Sequence, residues 1–251
     1  MLVDPTLFDP MFIPLQGKLV GYVRQPGNVG DKLKEAGTTQ LFKRYGVERY
    51  EEPLQKGKRI KADVLVFSAG GTMGKTYRRA YKMRQAALKT GKPFIIFPQS
   101  FCAKEPISCH KLFVRERYSL EFNDNAILAP DPALAYELPV DFKVPAPTRG
   151  LGISLKSDDD EGIMSHPKEN GDPIKRCKTV LQYIHLAAQY NKLVTDRCHF
   201  AIAAMIAEKT SPAGREVCLV ANSYHKNLGL WEAWLKDLGA KWLTRKELLA
   251  L

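Results

Sequence analysis

Seven short clusters in this 251-residue chain combine residue types able to do chemistry. They are Gly27–Asp31 (GNVGD), Gly70–Gly74 with Lys75, Gln99–Ser100, Arg115–Glu116, Asp158–Glu161, Arg197–x–His199 and Asn222–Asn227 (NSYHKN). The segment AGGTMGKT, Ala69 to Thr76, mimics a phosphate-binding loop with Ala in place of the first Gly. There, backbone N–H groups would cradle phosphates and Lys75 would reach the terminal ones. Against that reading, the following strand ends in PQS and offers no Asp for magnesium. A tight strand-to-helix turn also explains the glycines, as does close backbone approach to a ligand. Asp31 reads as an N-cap carboxylate, with Gly27 and Gly30 allowing the turn and Asn28 bracing it. His199 enters a helix whose N-terminal amides favour an anion, or it is a core histidine bonded to backbone. Gln99 and Ser100 end a buried strand, where they satisfy local backbone groups or face a ligand. Asn222, Ser223, Tyr224 and His225 end the last long strand, and Lys226 and Asn227 enter the next helix. Their density of donors favours a ligand-facing loop over a simple capping turn. The acidic run reads as solvated, with acceptor or cation binding as alternatives. No His or spaced carboxylates beside it support a defined metal site.

The elements that must position these residues alternate regularly. Strand-like runs at Lys18–Val23, Asp63–Ser68, Pro93–Phe97, Leu112–Arg115 and Ala126–Ala129 are each followed by turn residues, and mostly by helical patterns. After VDFKVPAPTRG the pattern resumes, with strands at Gly152–Leu155, Lys192–Thr195 and Glu216–Ala221. Helices are expected at Ile174–Tyr190, Cys198–Glu208 and Leu230–Leu238. The expected fold is α/β, with parallel sheets in two facing Rossmann-like domains, 1–148 and 149–251, around a central cleft. In such sheets ligands bind at the carboxyl ends of the strands, where the clusters fall. Trp231, Trp234 and Trp242 fit core or domain-closing packing better than sugar stacking.

Composition narrows the class. An apolar fraction of 45% with 26% charged residues excludes a disordered chain. The N-terminus lacks a basic stretch, and Pro and Asp interrupt its apolar runs, so no secretory signal is expected. No run of 18 apolar residues predicts a membrane span. Five scattered cysteines without a C-x-x-C pair argue against a disulfide framework or a zinc site, so a reducing cytoplasm is expected. The net charge of +11 asks for an anionic partner: nucleic acid, a membrane surface or a phosphorylated substrate. Residues 63–117 carry 11 basic and 3 acidic side chains, the largest local excess. Much of it lies on one helix face, with Lys75, Arg78, Arg79, Lys82 and Lys89. That face is either solvated or leans on anionic lipid or a phosphorylated acceptor.

Taken in order, GNVGD, FPQS, VRERYS, LAPDPAL, SDDDE, VTDRCHFAIAAM and VANSYHKN resemble the polysaccharide pyruvyl transferase family. The resemblance runs from about Gly21 to Trp242. It implies a fold similar to GT-B glycosyltransferases, with an acceptor-side N-terminal domain and a donor-side C-terminal domain. It also implies transfer of pyruvate from phosphoenolpyruvate to a sugar of a glycan or its lipid-linked precursor, usually as a ketal. On that basis Arg197, Arg115 and Lys226 would hold the donor anion, because forked guanidinium donors suit carboxylate and phosphate. His199 would act as acid or phosphate partner. Asp31 would serve as base or hydrogen-bond acceptor for the acceptor hydroxyl. Asn28, Gly30, Gly70, Gly71, Gln99, Ser100, Asn222, Ser223 and His225 would contact substrate. No cofactor or metal is expected. The anticipated partners are phosphoenolpyruvate, a glycan acceptor and the inner face of an anionic membrane, with nucleic acid least favoured. The chain departs from the family in its short length, in Cys198 where Leu is usual and in Lys156 where Arg is more common. A nucleotide-sugar glycosyltransferase of the same fold, and a phosphate-loop NTP-binding protein, are the competing readings.

Overall fold

The computed structural model describes residues 1–55, 59–157, 165–166, 168–221 and 224–251. Eleven strands among them form two wholly parallel sheets. The first contains β1 (Val20–Val23), β2 (Arg49–Glu51), β3 (Val64–Phe67), β4 (Gly70–Met73), β5 (Phe94–Phe101), β6 (Lys111–Val114) and β7 (Ala126–Leu128). Its order is β2-β1-β3-β5-β6-β7, with β4 also paired to β5. The second contains β8 (Arg149–Ser154), β9 (Tyr190–Thr195), β10 (Glu216–Leu219) and β11 (Lys241–Trp242), in the order β11-β10-β9-β8. The helices are α1 (Asp9–Phe12), α2 (Val29–Arg44), α3 (Arg78–Leu88), α4 (Pro173–Arg176), α5 (Val180–Ala188), α6 (Cys198–Thr210), α7 (Lys226–Leu230) and α8 (Arg245–Leu249).

Alternation along each strand assigns the two faces of the larger sheet. Val64 and Val66 point into one cluster with Val20, Tyr22, Phe97 and Phe113. Leu65 and Phe67 point into the other, with Val23, Phe94, Ile96 and Val114. Both faces are covered, so these strands read as unbroken apolar runs. Each fully buried side chain of this size contributes about 1.5–3 kcal/mol. A third cluster packs helix α2 against the second sheet and its helices. It unites Val29 and Leu33 of α2 with Leu134, with Tyr183 and Ile184 of α5 and with Phe200 and Ile202 of α6. At Gly37 the backbone of α2 lies against the chain at Pro132, so closely that a Cβ there would fall 2.0 Å from the Pro132 carbonyl oxygen.

Three expectations change. The glycines Gly70 and Gly71 lie in strand β4 and not in a loop. β3 pairs with the first half of β5, and β4 pairs with the second half, with Gly70 opposite Gln99. An extended backbone does not curl its N–H groups into a phosphate cradle, and α3 starts only at Arg78, so no phosphate-binding loop forms. Gln99 and Ser100 lie inside β5, which continues to Phe101 because Met73 pairs there. Its register against β6 shifts between Ile96 and Gln99, where Pro98 has no N–H to donate. The helix expected over Ile174–Tyr190 is broken after Arg176. Cys177 turns extended, and Thr179 starts a new helix through a capping box with Gln182.

Candidate active site

The carboxyl ends of strands from both sheets surround a cavity of about 140 Å³. Asn28, Gly30 and Asp31 reach it after β1, Gly71 and Thr72 from β4, and Arg115 after β6. From the second sheet come Lys156 after β8, Asp196, Arg197, Cys198 and His199 after β9, and Lys226 and Asn227 beyond β10.

Each arginine is held by a buried carboxylate. Arg115 Nε donates to Ser100 Oγ (2.8 Å) and Nη1 to Asp131 Oδ2 (2.8 Å). Its Nη2 lies where a side chain on residue 71 would stand. A Cβ on Gly71 would sit 2.5 Å from that nitrogen and 2.8 Å from the Tyr224 hydroxyl, so glycine is required for this approach. Arg197 Nε donates to Asp172 Oδ1 (2.5 Å), and its Nη2 donates to Asp172 Oδ2. Such two-point pairs fix the plane of the fork as well as its position. Asp172 in turn caps α4 through the Ile174 N–H.

Asp131 ties the arginine to the histidine. Its Oδ2 lies 3.4 Å from His199 Nε2, while its Oδ1 accepts the Ala133 N–H (2.9 Å). Burial alone would raise the pKa of Asp131, but the facing His199 and Arg115 more than reverse this and hold it well below the usual carboxylate range. His199 sits in the first turn of α6, packed on Gly30, where a Cβ would come within 3.2 Å of its Nδ1.

At the other wall Asn28, not Asp31, is the N-cap of α2. Its Oδ1 accepts the Gly30 N–H (2.9 Å), and Asp31 Oδ2 accepts the Asn28 N–H (3.0 Å). Asp31 Oδ1 accepts from Lys34 Nζ (3.2 Å). Burial works against the Asp31 charge, but Lys34 and His199 outweigh it and lower the pKa. A carboxylate held this way is a weak base, which favours the hydrogen-bond-acceptor role over the base role. Asp196 is the opposite case. Burial pushes its pKa up to about 7, against the Lys156 N–H (2.8 Å to Oδ1) and the Arg197 charge.

Of the remaining expected residues, Gly70, Gln99, Ser100 and His225 lie beside the cavity. Gln99 and Ser100 are fully buried. Gln99 Nε2 donates to the Ser68 carbonyl (2.7 Å) and its Oε1 accepts the Thr72 N–H (3.2 Å), so it spans the break between β3 and β4. Ser100 orients Arg115 from below. Gly70 packs near Lys34 and Gln99, behind Gly71. His225 stands 3.4 Å from Glu116 Oε1 and stacks on Phe122, outside the cavity lining. Lys226 lines the cavity with its Nζ 4.9 Å from the Tyr224 ring. Asn222, Ser223 and the acidic run Asp158–Glu161 lie outside the described residues. Trp234 fits the packing expectation, since its indole N–H donates to the Arg115 carbonyl (2.7 Å). Sequence reasoning missed Asp131, Asp172 and Asp196. Asp131 stands within LAPDPAL and Asp196 within VTDRCHFAIAAM, but a role for Asp131 and Asp172 was signalled only by the need of buried arginines for carboxylate partners.

The family model described as polysaccharide pyruvyl transferase matches residues 22–211. The chain belongs to the polysaccharide pyruvyl transferase family. The match takes in GNVGD, PQS, Arg115, Asp131 and the Arg197–x–His199 pair, and stops before Tyr224–Asn227. The family name points to transfer of a pyruvyl group to a polysaccharide. A functionally uncharacterised protein from Klebsiella pneumoniae subsp. pneumoniae has a similar structure, with a TM-score of 0.73 and 21% identity. The alignment covers 96% of this chain and 98% of that one. The likeness establishes a shared fold. No curated protein matches this pyruvyl transferase. Among the described residues, no helix is long and apolar enough to cross a membrane.

Proposed function

We propose that this pyruvyl transferase takes pyruvate from phosphoenolpyruvate and attaches it to a glycan sugar as a ketal, without a metal. The observation that carries this reading is the pair of arginines, one from each sheet, that line one small cavity beside His199. Phosphoenolpyruvate presents a carboxylate and a phosphate, and each suits one fork. Because Asp131 and Asp172 already orient the forks, little ordering remains to be done on binding. Lys226 and Lys156 add positive charge at the rim.

The reaction needs one proton delivered and two removed. A sugar hydroxyl attacks the central carbon, and the methylene carbon takes a proton to become a methyl group. Phosphate leaves, a second hydroxyl of the same sugar closes the ketal, and the two hydroxyl protons are taken up. His199, which Asp131 orients, delivers the proton to the methylene carbon. Asp196, with a pKa near neutrality, suits the role of proton acceptor. Asp31 accepts a hydrogen bond from the attacking hydroxyl. The same reading places the enzyme in the cytoplasm, at or near the inner face of a membrane.

The test is incubation with phosphoenolpyruvate and a panel of lipid-linked or nitrophenyl sugars. Acceptor-dependent phosphate release and a pyruvylated product are expected, both lost in His199→Ala. Turnover of a nucleotide sugar instead would sink the proposal.

A further inference from the structure

The donor cavity is too small to hold a glycan as well, since ligand pockets usually enclose about 300–1,000 Å³. Thr72 and Tyr77 line it, and both also line a neighbouring hollow of about 280 Å³ over the start of α3. That hollow shares Pro26, Arg78, Arg79 and Met83 with a groove of about 900 Å³ between α3 and the ends of β1 and β2. The three spaces thus follow one another along the carboxyl edge of the larger sheet.

The walls of the groove are unequal in charge. On one side stand Arg78, Arg79 and Lys82, all exposed, and none forms a side-chain ion pair among the described residues. On the other side the two carboxylates are engaged. Glu51 pairs with Arg24 (3.1 Å), while Glu52 accepts from the Tyr50 hydroxyl (2.9 Å) and the Leu54 N–H (3.1 Å). The floor is apolar, with Val23, Pro26 and Met83. A flat lipid surface would meet only the rim of such a concave site, whereas a single extended chain can lie along it.

We propose that this groove is the acceptor subsite and binds an acidic saccharide chain. Arg78, Arg79 and Lys82 hold its carboxylates or phosphates, and the sugar to be pyruvylated reaches past Thr72 and Tyr77. The proposal rests on the pyruvyl transfer reading. Gln25 sets the neck by accepting the Thr72 hydroxyl hydrogen bond (2.7 Å).

The test is calorimetric titration of the full chain with hexagalacturonate, with neutral maltohexaose and with phosphoenolpyruvate. Flotation with vesicles of phosphatidylcholine and phosphatidylglycerol runs in parallel. Hexagalacturonate should bind about tenfold or more tighter than maltohexaose, and added salt should weaken it. The triple variant Arg78→Gln, Arg79→Gln, Lys82→Gln should lose that preference while its phosphoenolpyruvate affinity stays within about twofold of the parent's. Equal binding of the two hexasaccharides would overturn the proposal, as would a triple variant that keeps the preference. Vesicle binding that depends on the three cations, without hexagalacturonate binding, would assign the patch to lipid. Failure to bind phosphoenolpyruvate alone would fault the donor reading and leave the saccharide comparison to judge the groove.

Discussion

Two buried aspartates decide what the cavity residues can do. Asp131 serves Arg115 and His199 together, so Asp131→Asn keeps the shape and removes the charge that both require. A loss of about a hundredfold or more in kcat/KM is expected, with the far-UV circular dichroism unchanged. A loss below about threefold would remove Asp131 from the account. Asp196 gives a pH prediction. Its folded pKa of about 7 stands above the ordinary 3.8, so between these values the folded state binds more protons than the unfolded one. The stability it contributes is therefore present at low pH and lost as pH rises through about 7. Asp196→Asn should match the parent's thermal stability near pH 4 and exceed it at pH 8 by on the order of 2 kcal/mol. Equal melting temperatures at pH 8 would contradict this. The Arg–x–His pair was legible because its two members are neighbours in the chain. Asp131 was not, because it lies 16 residues from Arg115 and 68 from His199. Asp172, 25 residues from Arg197, was hidden in the same way.

At the scale of elements, helix α2 is the piece that sets the site. Its N-terminus presents Asn28, Gly30 and Asp31, and its middle rests on the turn that carries Asp131. Gly37 makes that contact, and the atoms nearest its missing Cβ are backbone atoms of Pro132 and Ala133, which cannot rotate away. Helix propensity alone would make Gly37→Ala stabilising by about 1 kcal/mol. The steric term should win, with a net destabilisation of ~2 kcal/mol in urea unfolding and reduced activity, because α2 moves away from Asp131. A more stable Gly37→Ala protein would contradict that packing. Strand and helix order was legible from period and turn residues. The conversion of AGGTMG into a strand was not, because it depends on β5 running on to Phe101 and offering a second partner to the same chain. The break after Arg176 was likewise hidden, because an apolar period through Ile174–Tyr190 masks the Thr179 cap.

On the whole-molecule scale the charge of +11 divides by location. Arg84 is buried against Glu105, and Arg115 and Arg197 are buried against aspartates, so none of the three contributes to a surface patch. The exposed excess on α3 borders the groove. One apolar cluster packs helix α2 against the second sheet and its helices, and the strand ends of both sheets face a common cavity, so each sheet supplies one arginine to the proposed anion site. Calorimetric titration with phosphoenolpyruvate measures that convergence directly. The parent protein should bind it, and Arg197→Ala should bind about a hundredfold or more weakly, since one oriented charge-assisted fork is lost. A parent that binds a nucleotide sugar but no phosphoenolpyruvate would contradict the account, as would an Arg197→Ala protein of unchanged affinity.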